Sequence, residues 1–188
     1  MRQFGDQRVL DAAVVVALGS NLAGDHGSCE ALLESALARM TGLDFAVVAR
    51  SSWWRSAAWP SGADPEYLNG VVLIGTEVEP REVLARLETI EREFGRTRGE
   101  ANAPRTLDLD LVAHGRAIID DARLTLPHPR AHERRFVMGP LAEIAPEWRH
   151  PVSGETAAAL ALSASVGADA RPVGAACAAL HKRPRNAI

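Results

Sequence analysis

Cysteine is scarce: the 188 residues hold only Cys29 and Cys177. Two cysteines build no disulfide framework, and their separation matches no metal motif. A reducing compartment fits. Long apolar runs are missing as well. No stretch approaches the ~20 residues that span a bilayer, and the start, Met1 to Asp11, is charged and lacks the apolar core of a signal peptide. The expected location is therefore the cytoplasm, with no membrane partner. Charge of one sign is also lacking. A formal net charge of −3 argues against a general binder of nucleic acid or anionic lipid, while leaving room for a local basic pocket. Aromatic residues make up 5% of the chain, and its buried-looking strands offer few of the exposed rings on which an RNA-binding sheet stacks bases. No nucleic-acid partner is expected. There is no internal repeat and no linker marking a domain boundary.

What is present is ordinary globular composition, 47% hydrophobic and 24% charged, in a chain long enough for one substantial core. One domain over residues 12–165 is expected, followed by an Ala-rich, loosely held tail over 166–188. Arginines concentrate from the middle of the chain onward: Arg92, Arg96, Arg98 and Arg105, then Arg123, Arg130, Arg134 and Arg135.

Between those groups runs Pro104-Arg105-Thr106-Leu107-Asp108-Leu109-Asp110-Leu111-Val112. Side chains alternate along a strand, so Asp108 and Asp110 share a face while Leu107, Leu109 and Leu111 fill the other. Two like charges so close raise each other's protonation unless a cation stands between them. Mg²⁺, held by one or two carboxylates and substrate phosphates, is the common occupant of such a pair, and Arg105 is suited to a phosphate. On this pattern alone a solvated strand edge serves equally well.

Along the chain, Val14–Leu18 reads as a buried strand ended by a Gly19-Ser20-Asn21 turn. That turn lacks the Gly-Lys-Ser/Thr ending of a phosphate loop. Ser28 is an N-cap and Gly42 a stop for a helix with Leu32, Leu33, Ala36, Leu37 and Met40 inward. Phe45–Val48 reads as a second strand, continuing towards Trp54. A loop rich in small residues, Pro and Gly follows, with Trp59 in it as a candidate cover for a flat ligand. Tyr67–Gly75 is a third strand, on which Tyr67 and Asn69 share a face. They suit either a half-exposed strand end or a ring to be stacked and hydrogen-bonded. Pro80 opens the clearest helix, with Val83, Leu84, Leu87, Ile90 and Phe94 as its stripe and Gly95 as its stop. Glu88 and Glu91 on that helix read as surface partners of arginine. His114-Gly115 is a turn and Ala117–Ile119 a short returning strand. Leu124–Arg130 is extended. Its prolines keep His128 off any helix, so His128 and His132 make no helical metal pair. A short helix around Phe136–Ile144, with its regularity broken at Gly139-Pro140, and another over Glu155–Ala164 complete the pattern. The strand–helix–strand–strand–helix–strand order predicts an α+β, ferredoxin-like sandwich: a mostly antiparallel sheet with helices packed on it and long loops.

Five separated motifs then agree in order: Leu18-Gly19-Ser20-Asn21-Leu22, Ser52-Trp53-Trp54-Arg55-Ser56, Asp64-Pro65-Glu66-Tyr67-Leu68-Asn69, the Arg105–Leu111 segment, and Leu126-Pro127-His128-Pro129. Together they resemble the 6-hydroxymethyl-7,8-dihydropterin pyrophosphokinase family of the folate pathway, over about Val14 to Val152. The resemblance implies a ferredoxin-like enzyme that moves pyrophosphate from ATP to the pterin's hydroxymethyl oxygen and releases AMP. It implies two Mg²⁺ ions on Asp108 and Asp110, bridging the ATP phosphates. It places the pterin against Ser56, Ala58, Trp59, Tyr67, Asn69 and Phe136. It places ATP against Glu91, Arg96, Arg98, Arg105, Leu111, Arg123, Thr125, His128 and Arg134, with Arg96 and Arg105 as the phosphate-stabilising, catalytic pair. Three closing loops would correspond to Gly19–Ser28, Arg55–Glu66 and Arg96–Arg105. The partners are then ATP and the pterin, and a monomer is expected.

Two departures stand out. Ala101-Asn102-Ala103 replaces a basic residue and a tryptophan that many members carry, and Ala57-Ala58 replaces a common Pro-Pro, adding freedom to the second loop. Altered affinity or loop kinetics follows, without lost chemistry. The competing reading is a pterin- or nucleotide-binding module whose catalysis is impaired.

Overall fold

The computed structural model describes residues 7–58, 64–95 and 106–174. In chain order these form α1 (Gln7–Ala12), β1 (Val14–Ser20), α2 (Cys29–Thr41), β2 (Ala46–Arg50), β3 (Trp54–Ser56), β4 (Tyr67–Gly75), α3 (Pro80–Glu93), β5 (Asp108–His114), β6 (Ile119–Asp120), β7 (Thr125–Leu126), α4 (Arg135–Ile144), α5 (Ala157–Ser163) and β8 (Arg171–Pro172). Short 3₁₀ turns at Gly24–His26 and Ala131–Glu133 punctuate the loops.

The main sheet runs β5-β1-β4-β3-β8, with β2 also paired to β4. Every pairing in it is antiparallel. The expected second strand is thus two short ones, β2 and β3, laid end to end on β4. With them counted as one, the order is that of the expected ferredoxin-like sandwich. β1 and β4 are the inner strands, and their near-continuous apolar sequences reflect burial on both sides.

The two faces carry separate cores. Val14, Val16 and Leu18 pack with Leu32, Leu33, Met40, Leu87, Ile90, Leu109 and Leu111, beneath α2 and α3. Val15, Ala17 and Val71 pack with Leu10, Val137, Met138, Leu141, Trp148 and Leu160, beneath α1, α4 and α5. Local rules account for the first pair of helices. The Ser28 hydroxyl accepts from Ala31 N–H at the start of α2, and Pro80 stands at the first turn of α3.

Several boundaries differ from the sequence reading. Gly19 and Ser20, expected in a turn, continue β1, because β4 pairs with both and β5 with Gly19. The strand after Gly115 is Ile119–Asp120 and pairs with β7 in a separate ribbon. α4 runs unbroken through Gly139 and Pro140. Gly139 lets the helix press on Trp54: a Cβ there would lie 2.6 Å from the indole ring. Residues 166–174, expected in a loose tail, are tied down by β8 on β3 and by Val173 N–H donating to Trp53 O at 2.7 Å. Of Trp53 and Trp54, Trp53 is the one in the core, 7% exposed, and Trp59 lies outside the described residues. Among the described residues no helix is long and apolar enough to cross a membrane.

One buried polar cluster sits behind the sheet. His150 is 7% exposed, edge-on to His132 and Trp148. Ser153 N–H donates to its Nδ1 at 3.2 Å. Burial, then His132 and Arg116, push its pKa below the ordinary 6.5, against an opposing pull from Glu155. Below about pH 6.5 the unfolded chain therefore binds more protons than the native one, and stability falls with acidity. Thermal melting should drop between pH 7.5 and 5.5, and the drop should be shallower in His150→Gln. An equal slope in both proteins would remove His150 as a source of acid sensitivity.

Candidate active site

The register of β1 builds a floor. Opposite Gly19 stand Asn69 on β4 and Asp108 on β5. Opposite Ala17 stand Val71 and Asp110. Directly paired residues point to the same face, so Asn69 on one side of β1 and Asp108 and Asp110 on the other rise from one face of the sheet. The two β1 residues between them are the smallest available. A Cβ at Gly19 would sit 3.4 Å from Asn69 Oδ1 and 4.0 Å from Asp108 Cβ, so glycine keeps the space above the floor open.

This floor opens into a cleft. One wall is Tyr67 and Asn69 of β4, with Ser56 and Ala57 at the end of β3. His128, Arg134, Phe136, Val137 and Val166 also line the cleft. Asn69 Nδ2 donates to Ser56 Oγ at 3.1 Å and to Tyr67 O at 3.4 Å. The Tyr67 carbonyl can only accept, so it fixes this end of the amide as the donor, and the carbonyl end is turned away. Arg134 lies over the Phe136 ring, 5.8 Å from its centroid.

The carboxylate end is strongly polarised. Arg134 Nη1 donates to Asp110 Oδ2 at 3.1 Å, and His128 Nε2 lies 3.9 Å from the same oxygen. Burial is the largest influence on His128 and lowers its pKa. Asp110 opposes that and Arg134 reinforces it. His128 is therefore held neutral at neutral pH, able to present a lone pair or a single N–H. A β-bulge aims it. The register of β5 skips Val112, between Leu111 and Ala113, and the freed Val112 carbonyl accepts His128 N–H at 2.8 Å.

Behind β5 the structure differs from the surface reading of α3. Glu91 is only 4% exposed, and its Oε1 accepts Leu109 N–H at 2.7 Å. β5 is an edge strand, and this carboxylate satisfies a donor on its open side. Glu91 stands four residues after Leu87 and eight after Val83, on the buried stripe of α3, so the helical period already places it inward.

Of the expected site residues, the cleft gathers Asp108, Asp110, Ser56, Tyr67, Asn69, Phe136, His128 and Arg134. It does not gather Ala58, whose neighbour Ala57 lines it instead, or Leu111, which faces the α3 side. Arg123 and Thr125 stand on the β6–β7 ribbon, and Glu91 lies behind β5; none of the three forms the cleft wall. Trp59, Arg96, Arg98, Arg105 and Ala101-Asn102-Ala103 lie outside the described residues. Ala17, Leu18, Val137 and Val166 were not anticipated as lining, and Gly19 and Ala57 only as parts of two closing loops.

The family model for 7,8-dihydro-6-hydroxymethylpterin-pyrophosphokinase (HPPK) matches residues 15–146. The chain belongs to that family. It is 44% identical over 142 residues to 2-amino-4-hydroxy-6-hydroxymethyldihydropteridine pyrophosphokinase of Synechocystis sp., covering 76% of this chain and 71% of that protein. Against the Pseudomonas aeruginosa protein of the same name it is 39% identical over 138 residues, covering 73% and 83% of the two chains. A Plasmodium falciparum HPPK-DHPS crystal structure superposes with a TM-score of 0.63 at 13% identity, over 80% of this chain and 45% of that one. At that identity the likeness speaks for the fold alone.

Replacing Glu91 by Leu should leave the Leu109 N–H buried and unpaired, costing about 1–3 kcal/mol. Urea unfolding checks this. Glu91→Gln, which keeps an acceptor, should lose clearly less, and equal losses would show that Glu91 matters by packing alone.

Proposed function

We propose that this chain transfers the pyrophosphoryl group of ATP to the hydroxymethyl oxygen of 6-hydroxymethyl-7,8-dihydropterin, releasing AMP for folate biosynthesis. The observation that carries this reading is the row across β4, β1 and β5. It sets an aromatic–amide pair and two carboxylates on one face of one cleft. Family membership supplies the reaction class, and this row supports a meeting point for its two substrates above β1.

Asn69 has both a donor and an acceptor end, matching the amino and ring-nitrogen edge of a pterin. Tyr67 and Phe136 both line the cleft and suit the faces of its ring. Ser56 acts through Asn69. On the nucleotide side, Arg134 and His128 border the carboxylates. We assign Arg96 and Arg105, helped by Arg98, to the ATP phosphates, and Trp59 to covering the ring.

Asp108 and Asp110 fit Mg²⁺ by the chemistry of the donor set. Among the described residues no three His, Cys, Asp or Glu side chains gather as metal ligands. Two carboxylates alone suit a hard ion that takes its remaining oxygens from water and phosphate. Bound there, two Mg²⁺ ions would neutralise phosphate charge and help align attack at the β-phosphorus. The protein's own part is positional. It holds the hydroxymethyl oxygen and the triphosphate at neighbouring ends of one cleft and limits water, the competing nucleophile.

AMP release from ATP should depend strictly on both the pterin and Mg²⁺. Asp110→Asn should abolish turnover and weaken Mg²⁺-ATP binding while its melting curve stays cooperative. Binding of both ligands by calorimetry with no product would instead identify a binding module that has lost catalysis. Wild-type activity in Asp110→Asn would make the carboxylate pair structural.

A further inference from the structure

The family match ends at residue 146, yet the cleft does not. Val166 lines it, held between two strands of contact: its N–H donates to Glu133 O at 2.9 Å, and its carbonyl accepts from Arg135 N–H at 2.8 Å. Gly167 follows in the left-handed region, φ +67°, where a Cβ would lie 2.5 Å from Phe136 Cδ1. The chain therefore turns directly against the ring that forms one wall.

It then runs on to β3 and the second loop. Asp169 Oδ2 accepts Ala57 N–H at 2.6 Å. Arg171 pairs with Arg55 in the sheet, and its Nη2 lies 3.5 Å from Glu66 Oε1. Arg55 itself lies 3.5 Å from the other oxygen of Glu66. Residues 166–174 thus touch both ends of the second loop, Ala57 on the way out of β3 and Glu66 on the way into β4.

Ala57 makes the contact possible. A proline at this position would have no N–H to donate, whereas alanine has one and also has more backbone freedom to lose. Charge-assisted acceptance of that N–H by a carboxylate is a strong local restraint. It bears on Ser56 and Ala57, both in the cleft wall, and Ser56 in turn orients Asn69.

We propose that Asp169 is a positioning residue for the pterin. By holding the Ala57 N–H it sets the wall that carries Ser56 and Asn69, so a segment beyond the family match tunes pterin affinity and leaves the nucleotide side alone. This rests on the pyrophosphokinase reading of the cleft. No chemistry is assigned to Asp169, because its carboxylate faces the backbone of Ala57.

The test compares Asp169→Ala and Asp169→Asn with wild type in the full chain. Three readouts are needed: the KM for each substrate, the melting temperature, and hydrogen exchange of the Ala57 amide. In Asp169→Ala the pterin KM should rise about three- to tenfold, the scale of one lost hydrogen bond. ATP KM and melting temperature should hold, and the Ala57 amide should exchange faster. Asp169→Asn, which keeps an acceptor oxygen, should lie near wild type. An unchanged pterin KM in Asp169→Ala overturns the proposal. So does a parallel rise in both KM values with a lower melting temperature, which marks a purely structural role. A wild-type chain without pterin-dependent AMP release would refute the functional reading instead. The positioning role is then judged by amide exchange together with pterin titration calorimetry, where equal binding by wild type and Asp169→Ala, or none by either, overturns it.

Discussion

Everything in the cleft depends on one constraint, the antiparallel register that holds β1 between β4 and β5. Gly19 opposite both Asn69 and Asp108 is a backbone fact, set by ladder hydrogen bonds. A slip of one residue would turn Asp108 and Asp110 into the core beneath α2 and α3 and bring Leu109 up into the cleft. The slip is prevented because both faces of β1 are occupied. Val14, Val16 and Leu18 fill one core, and Val15 and Ala17 the other. Neither set can be exchanged for the other, since the second includes the small residues that leave room for a ligand. The same hydrophobic pattern that folds the sheet therefore brings the polar groups of two substrate subsites together.

Electrostatics adds a second condition. Two carboxylates on neighbouring positions of one strand repel, and the fold brings positive charge to them from a distant part of the chain. Arg134 reaches Asp110 from just ahead of α4. His128, held neutral and adding no charge of its own, arrives beside the same oxygen because the bulge in β5 offers it the Val112 carbonyl. The bulge thus converts an interruption of the ladder into a fixed point for the chain that returns after β7. Glu91 does comparable work behind the strand, satisfying the edge of β5 with a side chain in place of a further strand.

Much of this is legible in the residues themselves. The Asp108–Asp110 alternation, the Tyr67–Asn69 pair, the caps at Ser28 and Pro80, and the order of strands and helices follow from local periods and turn chemistry. What escapes is whatever depends on a partner far away in sequence. Gly19-Ser20-Asn21 has the composition of a turn, and only neighbours on both sides keep Gly19 in a strand. Gly139-Pro140 looks like a break until Trp54 packs against the glycine. Residues 169–173 look loose because the groups that anchor them, Trp53, Arg55 and Ala57, lie more than a hundred residues earlier. Glu91 is a different case. Its helical position pointed inward, and its charge argued outward. The backbone donor on an edge strand that reconciles the two is invisible to a helical wheel.

The last of these long-range ties bears on how specificity is divided over the molecule. Asp108, Asp110 and Asn69 stand on inner or edge strands whose register cannot shift without unfolding the cores, so their spacing is rigid. Ser56 and Ala57 end a three-residue strand, β3, at the brink of a long loop, and β3 has few ladder bonds of its own. A wall built there needs bracing. β8, Asp169 and the Arg171–Glu66–Arg55 group provide it from outside the region matched by the family. Changes in that outer segment can alter how firmly the wall stands without touching the carboxylates. Phosphate chemistry and ring recognition are thereby separated in the structure. One is tied to the register of the sheet, and the other is adjustable through a strap at the end of the chain.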